Sequence, residues 1–375
     1  MWKQAIEDAV AKTQRNVSAH GLTYPHIDND QKYDWGENND WIEGFYTGML
    51  WLCYRYTGDE AFKKAAMEQG SDFRKRLDND IALEHHDIGF LYMPSAFAQW
   101  RLAGDESAKR LALDAADKLL GRWRPKGNYI QAWGPAGDEK NGGRIIIDCL
   151  MNLPLLYWAS ETTGEAKYKD IAFIHAEQSL RYLVRGDDSS YHTFYFDQES
   201  GIPLGGGTHQ GYHDGSTWTR GQAWGVYGFA LSYRYTRDPR FLEASRRLAR
   251  YFIAHLPEDH VAYWDFDAPI EAGTPRDSSA SAITACGLLE LIGHLEEGDG
   301  ERAYFQEHAR RMMESLVKRY ATIGEEAAEG LIRHGSYSVR TGNAPDSCMI
   351  WGDYYYLEAL LRLERGFAGF WYEIK

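Results

Sequence analysis

Apolar and polar positions alternate along this chain in blocks, and a short turn of one type keeps returning between them. Its instances are Thr57-Gly58-Asp59-Glu60, Ala103-Gly104-Asp105-Glu106, Thr163-Gly164-Glu165, Thr236-Arg237-Asp238-Pro239 and Glu297-Gly298-Asp299. The segment before each turn is strongly apolar and rich in glycine: 41–54, 88–100, 149–159, 221–233 and 280–291. The segment after it carries charges along one stripe of a helical period, as in 61–77 and 241–256. Each unit therefore predicts a hairpin of one buried and one amphipathic helix. The glycine ends the first helix in a left-handed cap, and the acidic residue or proline opens the second.

A sixth apolar helix is predicted over 354–363, and the amphipathic segment 1–20 supplies the outer partner it lacks. Six hairpins closed by the two chain ends predict an all-α fold, a single (α/α)6 barrel spanning 1–375. Few segments show strand-like alternation, the best being 190–196 and 260–265, so β content is expected to be minor.

Composition narrows the function. The formal charge of −14 leaves no basic footprint for a nucleic acid. No apolar run reaches the roughly 18 residues that span a bilayer, and the first residues show no secretory pattern, so a cytoplasmic protein is expected. Cys53, Cys149, Cys286 and Cys348 are isolated, which signals neither a zinc site nor a disulfide framework. Aromatics are 14% of the residues, with 13 Trp and 25 Tyr, and many stand outside any helical period. Such rings suit the apolar faces of sugars. An acidic surface with scattered apolar residues suits monomer and dimer alike, and a monomer is expected.

Alignment on the turns places Asp40-Trp41, His86-Asp87, Asp148, Thr219-Arg220, Asp277-Ser278 and Gly352-Asp353 at equivalent helix starts, and hence at one mouth of the barrel. Asp148 follows Gly142-Gly143-Arg144 and an apolar run, where burial suits it to general acid work; the alternative is the N-cap of the helix that follows. Asp87 comes from the adjacent hairpin, and the two carboxylates together suggest an acid/base pair. Arg220, between Trp218 and Trp224, is either a clamp for a ligand carboxylate or half of a structural ion pair. His85-His86-Asp87 lacks the spacing of a metal site, and Gly205-Gly206-Gly207 lacks the rest of a phosphate loop, so neither metal nor nucleotide cofactor is expected.

The blocks EHHDIGFLY, IQAWGP, NGGRIIIDCL, RGDDSSYHTFYFD, GGTHQG, DGSTWTRGQAWG, RDSSASAITACGLLE and IWGDYYYLEALLRL, spread over nearly the whole chain, resemble the unsaturated glucuronyl hydrolases of glycoside hydrolase family 88. The resemblance implies an (α/α)6 barrel that removes the 4,5-unsaturated uronic acid from the non-reducing end of lyase-generated oligosaccharides by hydrating the C4=C5 bond, without a cofactor. It further implies Asp148 as general acid and base and Asp87 as the second essential carboxylate. His192, Gln210 and Arg220 fall around the unsaturated ring and its carboxylate, with Trp41, His86, Trp133, Trp224 and Tyr337 lining the pocket. The segment 339–345 lies where the leaving sugar would sit. Competing readings are an unsaturated rhamnogalacturonyl hydrolase of similar chemistry, a sugar epimerase using His192 and His209, and a catalytically silent sugar-binding barrel.

Overall fold

The computed structural model describes residues 1–29 and 31–373; Asp30, Ile374 and Lys375, part of the expected 1–375 domain, lie outside the described residues. Thirteen α-helical segments among them account for six hairpins: α1 (Trp2–His20), α2 (Glu43–Thr57), α3 (Glu60–Asp78), α4 (Ile88–Tyr92), α5 (Ala98–Ala103), α6 (Glu106–Leu120), α7 (Leu153–Thr163), α8 (Ala166–Tyr182), α9 (Thr219–Thr236), α10 (Pro239–Ala254), α11 (Ser278–Ile292), α12 (Arg302–Ser315) and α13 (Ile350–Arg365). Helices α2, α4–α5, α7, α9, α11 and α13 pack in sequence order, and α13 returns to α2, so the inner ring closes. Helices α3, α6, α8, α10, α12 and α1 back them, each against its own hairpin partner. The N-terminal helix backs α13, as the lone sixth inner helix requires. Among the described residues no helix is long and apolar enough to cross a membrane.

The turn chemistry accounts for four of the five hairpin connections. Gly58, Gly104 and Gly164 end their helices with positive φ, and Arg237 adopts the same left-handed conformation at φ 59°. Asp59, Asp105 and Asp238 then accept from backbone N–H groups of the next helix. The fifth connection differs: α11 stops at Ile292, and α12 begins only at Arg302, after Glu301. Gly298 is not the cap there, because the chain takes several residues to turn rather than one.

Inner helices are glycine-rich for a packing reason. A Cβ on Gly44 would strike the Phe90 and Leu91 backbone, one on Gly228 would strike Leu150, and one on Gly287 would meet the Tyr227 backbone at 3.0 Å. These glycines let neighbouring inner helices touch main chain to main chain.

Two inner helices depart from the expected continuous form. The second is interrupted by a π turn at Met93–Phe97, and the third begins as a 3₁₀ turn at Ile147–Met151. The seven strands among the described residues are short: β1 (Tyr24–Asn29) pairs with β2 (Lys32–Gly36), β3 (Trp123–Arg124) with β4 (Tyr129–Ile130), and β5 (Arg144–Ile146), β6 (Thr193–Phe196) and β7 (Pro203–Gly207) form one antiparallel sheet. The alternating stretch 190–196 supplies β6. The stretch 260–265 makes only isolated bridges, Trp218 to Asp265 and Tyr263 to Arg276.

The two kinds of glycine are separable by mutation. Gly58→Ala, at φ 72° with nothing within 4 Å of a new Cβ, is expected to cost about 1 kcal/mol in a denaturant titration and leave turnover unchanged. Gly228→Ala forces α9 away from the turn bearing Asp148, and is expected to lower both stability and activity.

Candidate active site

The β5–β6–β7 sheet delivers the central residue. Ile146 pairs with Thr193, and the Ile147 N–H donates to the His192 carbonyl at 3.1 Å, after which the chain turns into the 3₁₀ segment. Gly143 is required just before β5 because any side chain would collide with the Phe196 carbonyl. The Arg144 guanidinium lies 5.0 Å from the Trp133 ring and 5.1 Å from that of Tyr195.

Asp148 does not cap the following helix, contrary to one sequence expectation. It sits in the first turn of the 3₁₀ segment, whose N-cap position is Ile146, and the N-cap position of α7 is Asn152. Its Oδ2 is buried without a hydrogen-bond partner. Burial, then the Asp87 carboxylate, push the Asp148 carboxyl up to about 8; Arg220 and the Trp224 indole offset only part of that rise.

Asp87 stands at the start of α4. Burial pushes its carboxyl up too, but His86, His85 and Asn152 outweigh burial and hold it below the usual carboxylate value. His86 Nε2 lies 3.4 Å and His85 Nδ1 3.5 Å from its oxygens, with Asn152 Nδ2 at 3.4 Å. Burial drives the His86 pKa down to about 4, so this imidazole is neutral. At neutral pH the pair therefore comprises one protonated and one ionised carboxyl.

Both acids face a cavity of about 250 Å³ walled by Trp41, His86, Trp133, Ile146, His209, Gln210, Tyr337, Ser338, Thr341 and Asn343. A neighbouring lobe of about 300 Å³ shares Trp41, Asp87 and Trp133 and adds Asn39, Asp40, Ala82, Glu84 and His85. The Trp41 indole N–H donates to the Tyr337 hydroxyl at 3.1 Å, fixing both rings. Seven expected site residues thus meet at one mouth: Asp148, Asp87, Trp41, His86, Trp133, Gln210 and Tyr337.

Three others stand behind the wall rather than in it. Arg220 is 1% exposed and pairs with Asp277 at 2.5 Å, donating also to the Ser336 carbonyl, to Gln210 Oε1 and to the Tyr337 carbonyl, the last two at 2.8 Å. It is a structural ion pair, not a free clamp, because a buried guanidinium needs its partners inside the protein. His192 Nδ1 accepts from the His209 and Gln210 N–H groups at 3.0 and 3.3 Å, and its ring packs 4.4 Å from Trp218, so it shapes the loop presenting Gln210. Burial pushes its pKa well down. Trp224 is fully buried, 5.1 Å from Phe90 and 5.5 Å from Tyr355.

Sequence reasoning missed Asn152, Ser338, Thr341 and Asn343. The signal for Asn152 was a lone amide in the apolar run around Leu150 and Leu153. The other three sit on a hairpin closed by the Ser338–Asn343 bridge, within or beside the segment assigned to the leaving sugar. Among the described residues no group of three or more His, Cys, Asp or Glu is placed to hold a metal.

A split carboxylate pair in an aromatic-walled pocket at the mouth of an (α/α)6 barrel defines a carbohydrate-processing enzyme. The chain matches Glycosyl Hydrolase Family 88 over residues 8–366, and it belongs to that family. It is 59% identical over 374 residues to the unsaturated glucuronyl hydrolase of Bacillus sp. strain GL1, covering 100% of this chain and 99% of the relative. The crystal structure of the unsaturated glucuronyl hydrolase from Bacillus sp. GL1 superposes with a TM-score of 0.98 at 58% identity, over 100% of this chain and 99% of that one. An unsaturated chondroitin disaccharide hydrolase of Streptococcus pyogenes serotype M1 is 42% identical, over 98% of this chain and 92% of its own.

A raised carboxyl pKa has a sign that can be measured. The folded state keeps the Asp148 proton up to about pH 8, whereas the unfolded chain releases it near the ordinary value of 3.8, so this residue lowers stability progressively as pH rises between the two. Asp148→Asn is expected to stabilise the fold, by very little near pH 4 and by a few kcal/mol near pH 8, on the order of 1.4 kcal/mol per pH unit at most. Thermal melts of both proteins across that range check it; a difference that does not grow with pH contradicts the assignment.

Proposed function

We propose that this enzyme releases the 4,5-unsaturated uronic acid from the non-reducing end of lyase-generated glycosaminoglycan-type oligosaccharides by hydrating the C4=C5 bond. The observation that carries the reading is the pairing of a protonated Asp148 with an ionised Asp87 in one aromatic-walled cavity. The C4=C5 bond is a vinyl ether, and protonation at C4 places oxocarbenium character at C5. Asp148 gives that proton, and its carboxylate then takes one from the water that adds to C5. The resulting hemiketal opens, which breaks the link to the leaving sugar.

Asp87 accepts from ring hydroxyls and, through its charge, keeps the proton on Asp148. Trp41, Trp133 and Tyr337 pack against the sugar faces. With Arg220 committed to Asp277, the substrate carboxylate is received by Gln210 and the Ser338 hydroxyl, Arg220 acts on it through Gln210, and Thr341 and Asn343 are left to the leaving sugar. Residues 1–375 act as a single catalytic domain and a monomer.

The two named relatives, a glucuronyl and a chondroitin disaccharide hydrolase, favour glycosaminoglycan-type fragments over pectin-derived ones. The epimerase reading loses support because His192 spends Nδ1 on backbone N–H groups.

Loss of the ultraviolet absorbance of the unsaturated ring in a panel of lyase-generated disaccharides tests the proposal. Asp148→Asn is expected to reduce turnover by roughly 10²- to 10⁴-fold with the circular dichroism spectrum unchanged. Activity should fall as pH rises through about 8, where Asp148 loses its proton, and at the acid end only below the ordinary carboxylate range, where Asp87 gains one. Near wild-type turnover by the variant, or inhibition by a metal chelator, contradicts the mechanism.

A further inference from the structure

Asp87 occupies the N-cap position of α4, yet its carboxylate accepts no hydrogen bond from that helix. A cap oxygen normally takes the N–H of the second or third helical residue. Here the third residue, Phe90, donates instead to Asn152 Oδ1 at 2.7 Å, across from the neighbouring hairpin. Asn152 is fully buried and stands at the N-cap position of α7, but it makes no side-chain cap there. Its Nδ2 is turned between Asp87 Oδ1 at 3.4 Å and the Asp148 carbonyl at 3.3 Å. The Phe90 N–H fixes which end of the amide is oxygen. The contact is close enough that any side chain on Gly89 would run into the Asn152 backbone.

We propose that Asn152 is a positioning residue: it caps α4 in place of Asp87, releasing the Asp87 carboxylate to face the sugar, and its amide hydrogens hold that carboxylate against the turn that bears Asp148. The inference rests on the two-carboxylate reading above. An amide suits the position because it offers an acceptor to the helix and a donor to the acid while adding no charge. Leucine would keep the volume and lose both, leaving the Phe90 N–H bare and drawing Asp87 back to the cap. Aspartate would keep the acceptor, lose the donor and bring a third negative charge, which raises the Asp148 pKa.

The test is a double-mutant cycle on kcat/KM with an unsaturated disaccharide, using Asn152→Leu, Asp87→Asn and the double variant. Asn152→Leu is expected to lose roughly 10²-fold, the cost of a displaced catalytic group, and the double variant is expected to be no worse than Asp87→Asn alone. Losses that multiply, or a single variant within about threefold of wild type, overturn the proposal. Should Asn152→Leu not fold, Asn152→Asp decides: the alkaline limb of its pH–rate profile is expected to move to higher pH, and an unmoved limb overturns the proposal. Failure of the underlying reading shows itself elsewhere, as turnover by Asp148→Asn with Asn152 intact.

Discussion

Two carboxylates buried at one barrel mouth cannot both be ionised, and the site is arranged around which of them keeps a proton. Asp87 receives the His86 imidazole and the Asn152 amide, with His85, whose Nδ1 accepts from the Asp87 N–H, beside them. Asp277 receives the guanidinium of Arg220. Asp148, between β5 and α7, receives no hydrogen bond at Oδ2 and faces the charge of Asp87. A free arginine facing Asp148 would have stabilised its anion and removed the acid; the Arg220–Asp277 pair therefore protects the proton on Asp148 as well as bracing the wall.

The opposite end of the barrel shows that burial alone does not produce a proton donor. Glu290 and Glu358, 1% and 0% exposed, are buried more deeply than the partly covered Asp148. Glu290, however, is met by Arg234, Arg362, His294 and Tyr372, and Glu358 by Arg362, Tyr227 and Trp371. Burial pushes Glu290 up, and these partners hold it well below the usual carboxylate range. The same residue chemistry thus yields a satisfied ionic plug at the floor and a reactive acid at the mouth. The difference lies in the partners each end supplies.

The six-hairpin architecture was legible in the sequence because it is written locally, in glycine and aspartate at the turns and in apolar against amphipathic helices. The two carboxylates were legible because they stand at helix starts in apolar settings. What was not legible was where the hydrogen bonds go. Arg220, His192 and Trp224 match pocket positions in sequence, yet the Arg220 terminal nitrogens, His192 Nδ1 and the Trp224 ring are engaged by Asp277, backbone groups and core aromatics that only the closed ring brings near. Asn152 escaped for the same reason, since its acceptor serves a helix in another hairpin. For Asp148 a helix cap stood open beside the acid role; the 3₁₀ turn at Ile147–Met151 delays that helix and leaves the carboxylate uncommitted.

Arg220 explains how a wall assembled from distant segments can be rigid. One guanidinium joins the N-cap aspartate of α11, two carbonyls of the segment carrying Tyr337 and Ser338, and the side chain of Gln210. It lies over the Trp218 and Trp351 rings at 4.5 and 5.2 Å, so both terminal nitrogens and the faces of the guanidinium are occupied. A lysine could supply the charge but not the planar fork that reaches several walls at once. The groups proposed to receive the substrate carboxylate, Gln210 and Ser338, are consequently neutral and braced by a buried cation rather than mobile cations themselves. Their geometry is set before substrate arrives, and little ordering entropy remains to be lost on binding.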